Sequence, residues 1–138
     1  MRSRRLILME EYSNVVHIEG TTMLDMVRRG ILPALSRFTG ALCASAAAKR
    51  EMGVEDVYEK DCAAKLSALI TRIYGAAQRL DECLAQAPKD IEDAAVYSRD
   101  QVLKAMEALR APVDEAELMM DADEWPYPGY SEMLFSVQ

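Results

Sequence analysis

Between residues 66 and 87, apolar or small side chains return at alternating steps of three and four: Leu66, Leu69, Ile73, Ala76, Leu80, Cys83 and Ala87. This alternation is the seam of a helix that packs lengthwise on other helices, since a half-buried strand would need a period of two. No proline interrupts the chain from Val54 to Ala87, and Pro88 then ends the run. At about 1.5 Å per residue the helix would be about 50 Å long. It can bury such a stripe only against partners of similar length.

Two partners are present. Upstream, Leu24, Val27, Ile31, Leu35, Phe38, Leu42 and Ala46 follow one another at steps of three or four, predicting a helix from about Thr22 to Arg50. Thr21 or Thr22 would cap it, and with Thr22 as cap Asp25 falls at the third helical position. Pro33 lies inside, but the stripe crosses it without a change of phase, which predicts a kink near Arg29-Gly30 rather than a stop. Downstream, Ile91, Ala95, Ser98, Val102, Ala105 and Leu109 form a third seam, with Pro88 placed to open that helix. Pro112 should kink or interrupt it, and Val113, Ala116 and Met119 or Met120 carry it two turns further. The predicted fold is all-α, an up-and-down bundle of three long helices with the first and third kinked at proline.

The organisation that follows has three parts. Residues 1–20 read as a strap: a short amphipathic helix over 5–12, a break at Ser13-Asn14, and VVHIE extended into Gly20. Residues 21–122 form the bundle and residues 123–138 a C-terminal tail. A chain of 138 residues holds one core, and 51% hydrophobic with 28% charged residues suits a folded domain.

Composition also bounds function. A net charge of −7, with Arg2, Arg4 and Arg5 as the only basic cluster, argues against a nucleic-acid partner. No run approaches the roughly 18 apolar residues of a membrane span, so a cytoplasmic chain without a membrane partner is expected. Cys43, Cys62 and Cys83 are widely spaced in alanine-rich helical stretches and read as small core residues.

Residue spacing offers little for chemistry. A carboxylate-bridged di-metal bundle needs two ExxH pairs, whereas the chain has a single histidine, His17. The same scarcity leaves the serines without a base to activate them. The six glycines are dispersed, with no phosphate-cradling loop ahead of a Lys and a Ser or Thr. The acidic run over 114–124 lacks the alternating oxygens and central glycine of a calcium loop. It reads as a solvated helix end, to which the Arg4-Arg5 and Arg28-Arg29 pairs could bind across subunits. No catalytic, cofactor-binding or metal residue is therefore assigned within the chain.

The tail is different in kind. Residues 123–137, DEWPYPGYSEMLFSV, contain the only tryptophan and are punctuated by two prolines. Disordered termini are poor in such residues, so this one is expected to pack on its own domain or on a partner. Trp125, Tyr127, Tyr130, Leu134 and Phe135 are the candidate interface, since Trp and Tyr are favoured anchors.

Those same residues carry a family resemblance. Glu124-Trp125-Pro126, then an aromatic, Pro128 and a run ending Leu134-Phe135, resemble the carboxyl terminus of type III glutamine synthetases. The stretch HIEGTTMLDMVRRGILPALSRF over 17–38 is similar to that family's passage from the catalytic domain into its C-terminal helices, and AMEALRAPVDEAELMM over 105–120 to its last long helix. The resemblance covers nearly the whole chain but only the family's C-terminal end. It implies a whole enzyme that ligates ammonia to glutamate through γ-glutamyl phosphate, using ATP and Mg or Mn held upstream, with none of these bound here. It further implies a non-catalytic domain whose partners are its own catalytic domain and neighbouring subunits of a homo-oligomer. The alternative is a free-standing helical adaptor or self-association module.

Overall fold

In a computed structural model that describes residues 3–127, the chain is helical throughout, with no strand among the described residues. The first long helix comprises α1 (Arg4–Met26), a π turn (Val27–Ile31) and α2 (Leu32–Glu51). A Gly53 turn at φ +76 reverses the chain into α3 (Val57–Ala85). The third long helix is α4 (Ile91–Tyr97), a second π turn (Ser98–Val102) and α5 (Leu103–Met119), followed by a 3-10 turn, Ala122–Glu124.

Ion pairs fix the directions. Lys49 pairs with Glu59 and Arg28 with Asp81 (3.1 Å), so α3 runs antiparallel to the first long helix. Arg5 pairs with Glu92 (3.4 Å) and Arg72 with Glu115 (3.6 Å), which sets the third long helix parallel to the first and antiparallel to α3. The result is the expected up-and-down bundle of three long helices.

The core is built from the seams. Met23, Val27, Ile31 and Leu35 of the first long helix, Leu66, Ile73 and Leu80 of α3, and Leu109 and Val113 of α5 are fully enclosed. Leu84 replaces Ala87 at the end of the α3 seam, because the helix stops at Ala85 and Ala87 is exposed. Gly20 lets the two backbones approach: a β-carbon there would lie 3.1 Å from Leu84 Cδ2.

The prolines are handled differently. Before Pro33 the helix widens, with the Leu32 N–H bonding the Val27 carbonyl five residues back. This π turn falls where the kink is expected and relieves the crowding of the Arg29 carbonyl by the proline ring. In the third helix the widened turn is at Ser98–Val102, and α5 runs on through a buried Pro112. Pro88 does not open the third helix; Asp90 caps it, its carboxylate accepting from the Asp93 N–H at 3.1 Å.

The strap is a correction. Residues 4–20 are continuous helix, so neither the Ser13-Asn14 break, the extended VVHIE nor the Thr22 cap is present. The Ser13 hydroxyl donates to the Met9 carbonyl (3.1 Å) and that of Thr21 to the His17 carbonyl (2.9 Å), so both bond within the helix instead of ending it. Burial of Val16 and Gly20 against the bundle outweighs the small helix-propensity cost of the β-branched residues.

The cysteines are also corrected: Cys43 is exposed and Cys62 and Cys83 are half-buried, all three as free thiols. Large aliphatics and alanines fill the seams, and of the three only Cys83 packs against the main core. Composition needs one correction too. An 18-residue window of the first long helix reaches a mean hydropathy of 1.3, enough in length and composition for a membrane span, with 28% of it buried in the bundle. Its alanines raise the hydropathy without forming a continuous run of large apolar residues.

Candidate functional site

The tail leaves α5 at Met120 and is fixed by local hydrogen bonds. Asp121 accepts from the Asp123 N–H at 2.9 Å through its carboxylate and from the Glu124 N–H at 3.0 Å through its carbonyl. This tight 3-10 turn swings Trp125 inward. The indole is 5% exposed and joins the bundle's main apolar core. Tyr127 packs on the same core, half-buried.

The receiving surface is the π turn. A β-carbon at Gly30 would stand less than 3.0 Å from the Oη, Cε2 and Cζ atoms of Tyr127, so the ring lies directly on the glycine. Glu124 shares a hollow with Ala34, Arg37 and Ala41 of α2. Between Glu124 and Tyr127 the chain therefore descends from the level of α2 toward α1. Pro33, by widening the turn before it, shapes the surface on which the tail lands. Gly30 was visible in the sequence only as a kink position, and nothing in its spacing marked it as a receptor for an aromatic ring.

Of the five candidate interface residues, Trp125 and Tyr127 are thus brought together on the chain's own bundle. Tyr130, Leu134 and Phe135 lie outside the described residues. The arginine pairs expected to reach the acidic run across subunits have partners nearer by: Arg5 with Glu92, Arg28 with Asp81, and Arg29 with Asp25. His17 is exposed on α1 rather than on an extended strap.

Two perturbed groups tie helices of the bundle together. The Tyr97 hydroxyl donates to the Cys83 carbonyl at 2.6 Å, and burial together with that bond pushes the phenol up to about 12. The Lys49 ammonium bonded to Glu59 holds that carboxyl below its usual range, and the two tie α2 to the start of α3. Among the described residues no group of three or more His, Cys, Asp or Glu side chains could hold a metal ion. The site's chemistry is that of packing: an aromatic tail on a helical groove.

Comparison with known proteins gives this body a relationship. Residues 1–50 match the family model described as the glutamine synthetase C-terminal domain. The glutamine synthetase of Butyrivibrio fibrisolvens is 29% identical over 145 residues, spanning 99% of this chain and 20% of the relative. That of Bacteroides fragilis (strain YCH46) is 24% identical over 136 residues, spanning 93% of this chain and 19% of the relative. The chain thus spans about a fifth of the length of the relatives it matches. No solved structure matches it.

Proposed function

We propose that this chain, whose residues 1–50 match the glutamine synthetase C-terminal domain model, is the non-catalytic, helical end of a bacterial glutamine synthetase of the large type III form, where it serves subunit packing. The observation that carries this reading is the extent of the alignment: nearly all of this chain pairs with only a fifth of each relative. The remainder of such an enzyme would supply the ligase chemistry. ATP and Mg or Mn would bind there, where carboxylates can hold the metal and screen the phosphates during transfer to glutamate.

The bundle offers a surface for assembly. Ile7 and Ile18 are eleven residues apart, close to three turns, and so share one side of α1, with Val15 beside them. They are 44%, 63% and 53% exposed, respectively. Three branched aliphatics on the outer face of a helix whose inner face is already buried suit a contact with a catalytic domain or a neighbouring subunit. A cytoplasmic homo-oligomer is the setting this reading implies.

The test is direct. Purified chain incubated with glutamate, ammonia, ATP and magnesium should release no glutamine and no phosphate above the protein-free rate. Turnover by the chain alone would overturn the non-catalytic reading.

A further inference from the structure

Beyond the level where the third long helix ends, the bundle thins to two helices. Arg72 of α3 pairs with Glu115 of α5 (3.6 Å), so α5, ending at Met119, stops beside about residue 68 of the antiparallel α3. Glu124, just past that end, lies beside Ala41 of α2. From there α2 and α3 run on as a hairpin whose tip is residues 52–58. The tip is tied down: the Val54 N–H bonds the Lys49 carbonyl (2.9 Å) and the Gly53 N–H the Arg50 carbonyl (3.1 Å), the pairing that closes a helix on a left-handed glycine. On this ordered turn Met52, Val54, Val57 and Tyr58 are between 53% and 81% exposed. Val57 and Tyr58 open α3, and helical side chains lean toward the N-terminus, so both overhang the tip. Single apolar side chains are ordinary on a surface, whereas four within one seven-residue turn make a patch.

We propose that this tip is the contact surface for a second copy of the chain, tip against tip about a two-fold axis at Val57-Tyr58. The inference rests on the described hairpin and does not depend on the ligase reading.

Charge decides what fits the patch. Segment 49–65 carries four basic and five acidic side chains, so only one unit of the chain's −7 lies here. Three ion pairs use most of them: Lys49 with Glu59, Arg50 with Asp56 (3.1 Å) and Lys65 with Asp61 (3.0 Å). Lys60, Glu51 and Glu55 have no ion pair among the described residues. A two-fold contact is self-complementary, since where residue i meets j, j also meets i. Glu55 stands two residues before Val57 and Lys60 two residues after Tyr58. An axis between them sets Val57 of each copy on Tyr58 of the other and Glu55 beside Lys60 on both sides. Leu118, 88% exposed, offers no such match: Glu117, Asp121, Asp123 and Glu124 surround it in sequence, so a second copy would bring like charges together. Four apolar side chains per copy make an interface smaller than the standard size of about 1,600 Å², so the contact is weak and concentration-dependent.

Sedimentation equilibrium of the full chain in reducing buffer, from about 10 µM to about 1 mM, tests it. The proposal expects the average mass to climb from one chain toward two as concentration rises. Tyr58→Glu should hold it at one chain, while Ile7→Glu with Ile18→Glu should leave the climb unchanged. All three residues are exposed, and circular dichroism checks that each variant keeps its helix content. The charged pair supplies a readout that misfolding cannot imitate. Lys60→Glu alone and Glu55→Lys alone should each weaken association by about tenfold. Mixing those two variants one to one should restore it, because every mixed pair regains both salt bridges. A mass that stays at one chain throughout, a climb that Tyr58→Glu leaves intact or that the Ile7 and Ile18 substitutions abolish, or a mixture that associates no better than either variant alone would overturn the proposal.

Discussion

Substituting Gly30→Ala sets two effects against each other. Alanine is favoured over glycine inside a helix by about 0.5 to 1 kcal/mol, so on propensity alone the variant should be more stable. The new methyl, however, would stand under 3.0 Å from the hydroxyl oxygen and two ring carbons of Tyr127, too close to be accommodated without moving the ring. The ring is half-buried, and complete burial of an aromatic side chain is worth about 1.5 to 3 kcal/mol. Displacing it should therefore cost about 1 to 2 kcal/mol, a part of that amount. The wild-type background should show a net change of about zero to 1.5 kcal/mol destabilising. In a Tyr127→Ala background the same substitution meets no ring and should stabilise by about 0.5 to 1 kcal/mol. The coupling from this double-mutant cycle, about 1 to 2 kcal/mol, is the quantity to measure, by urea unfolding followed at 222 nm and by Trp125 fluorescence. Equal stabilisation in both backgrounds would refute the account, since it would mean that Tyr127 does not rest on Gly30.

Other perturbations reach different parts of the bundle. Trp125→Ala should cost about 3 to 5 kcal/mol while leaving the helical spectrum of the folded protein nearly intact, because the indole is in the core but outside the long helices. Tyr97→Phe should cost about 1 kcal/mol in thermal or urea unfolding. The folded phenol is raised above its unfolded value near 10, so wild-type stability should fall as pH rises from about 10 to 12, and the Phe variant should lack that limb. Glu59 has the opposite sign: its carboxyl is held low by Lys49, so its contribution is present above the unfolded value of 4.5 and is lost as pH falls below it. Glu59→Gln should flatten that acid limb of an unfolding titration. Thr39 has a buried hydroxyl with no partner among the described residues, and Thr39→Val should raise the Tm by an amount corresponding to about 1 kcal/mol. A lower Tm would reveal a partner for that hydroxyl.

How far the sequence reveals this molecule depends on the kind of signal. The seams are periodic, and periodicity survives in the structure: Leu66, Ile73 and Leu80 are fully enclosed, as are Ile31 and Leu35 on the facing helix. Residues 13–20 read as non-helical because Ser13, Asn14, Val15, Val16 and Gly20 each disfavour helix locally. In the fold, two hydroxyls bond back into the helix and Gly20 becomes a contact point for Leu84. Local preference loses there to packing against a helix distant in sequence. The tail was legible in chemistry but not in address. Its aromatic residues called for burial, yet Gly30 becomes a receptor only through the widened turn ahead of Pro33, a three-dimensional consequence that no spacing rule carries. The cysteines show the reverse error, since membership of an alanine-rich helix left Cys43 exposed and only Cys83 packs, half-buried, against the main core.

The central claim is that this bundle is an assembly domain of a larger ligase. A chimaera tests it most directly: the Butyrivibrio fibrisolvens glutamine synthetase with the fifth that matches this chain replaced by it, sized by sedimentation velocity and assayed for glutamine formation. The account predicts particles of the parent's size with glutamine formation retained, and smaller particles when Ile7→Glu and Ile18→Glu are introduced. A chimaera that sediments as a folded single subunit, or one whose assembly is indifferent to those two substitutions, would contradict it.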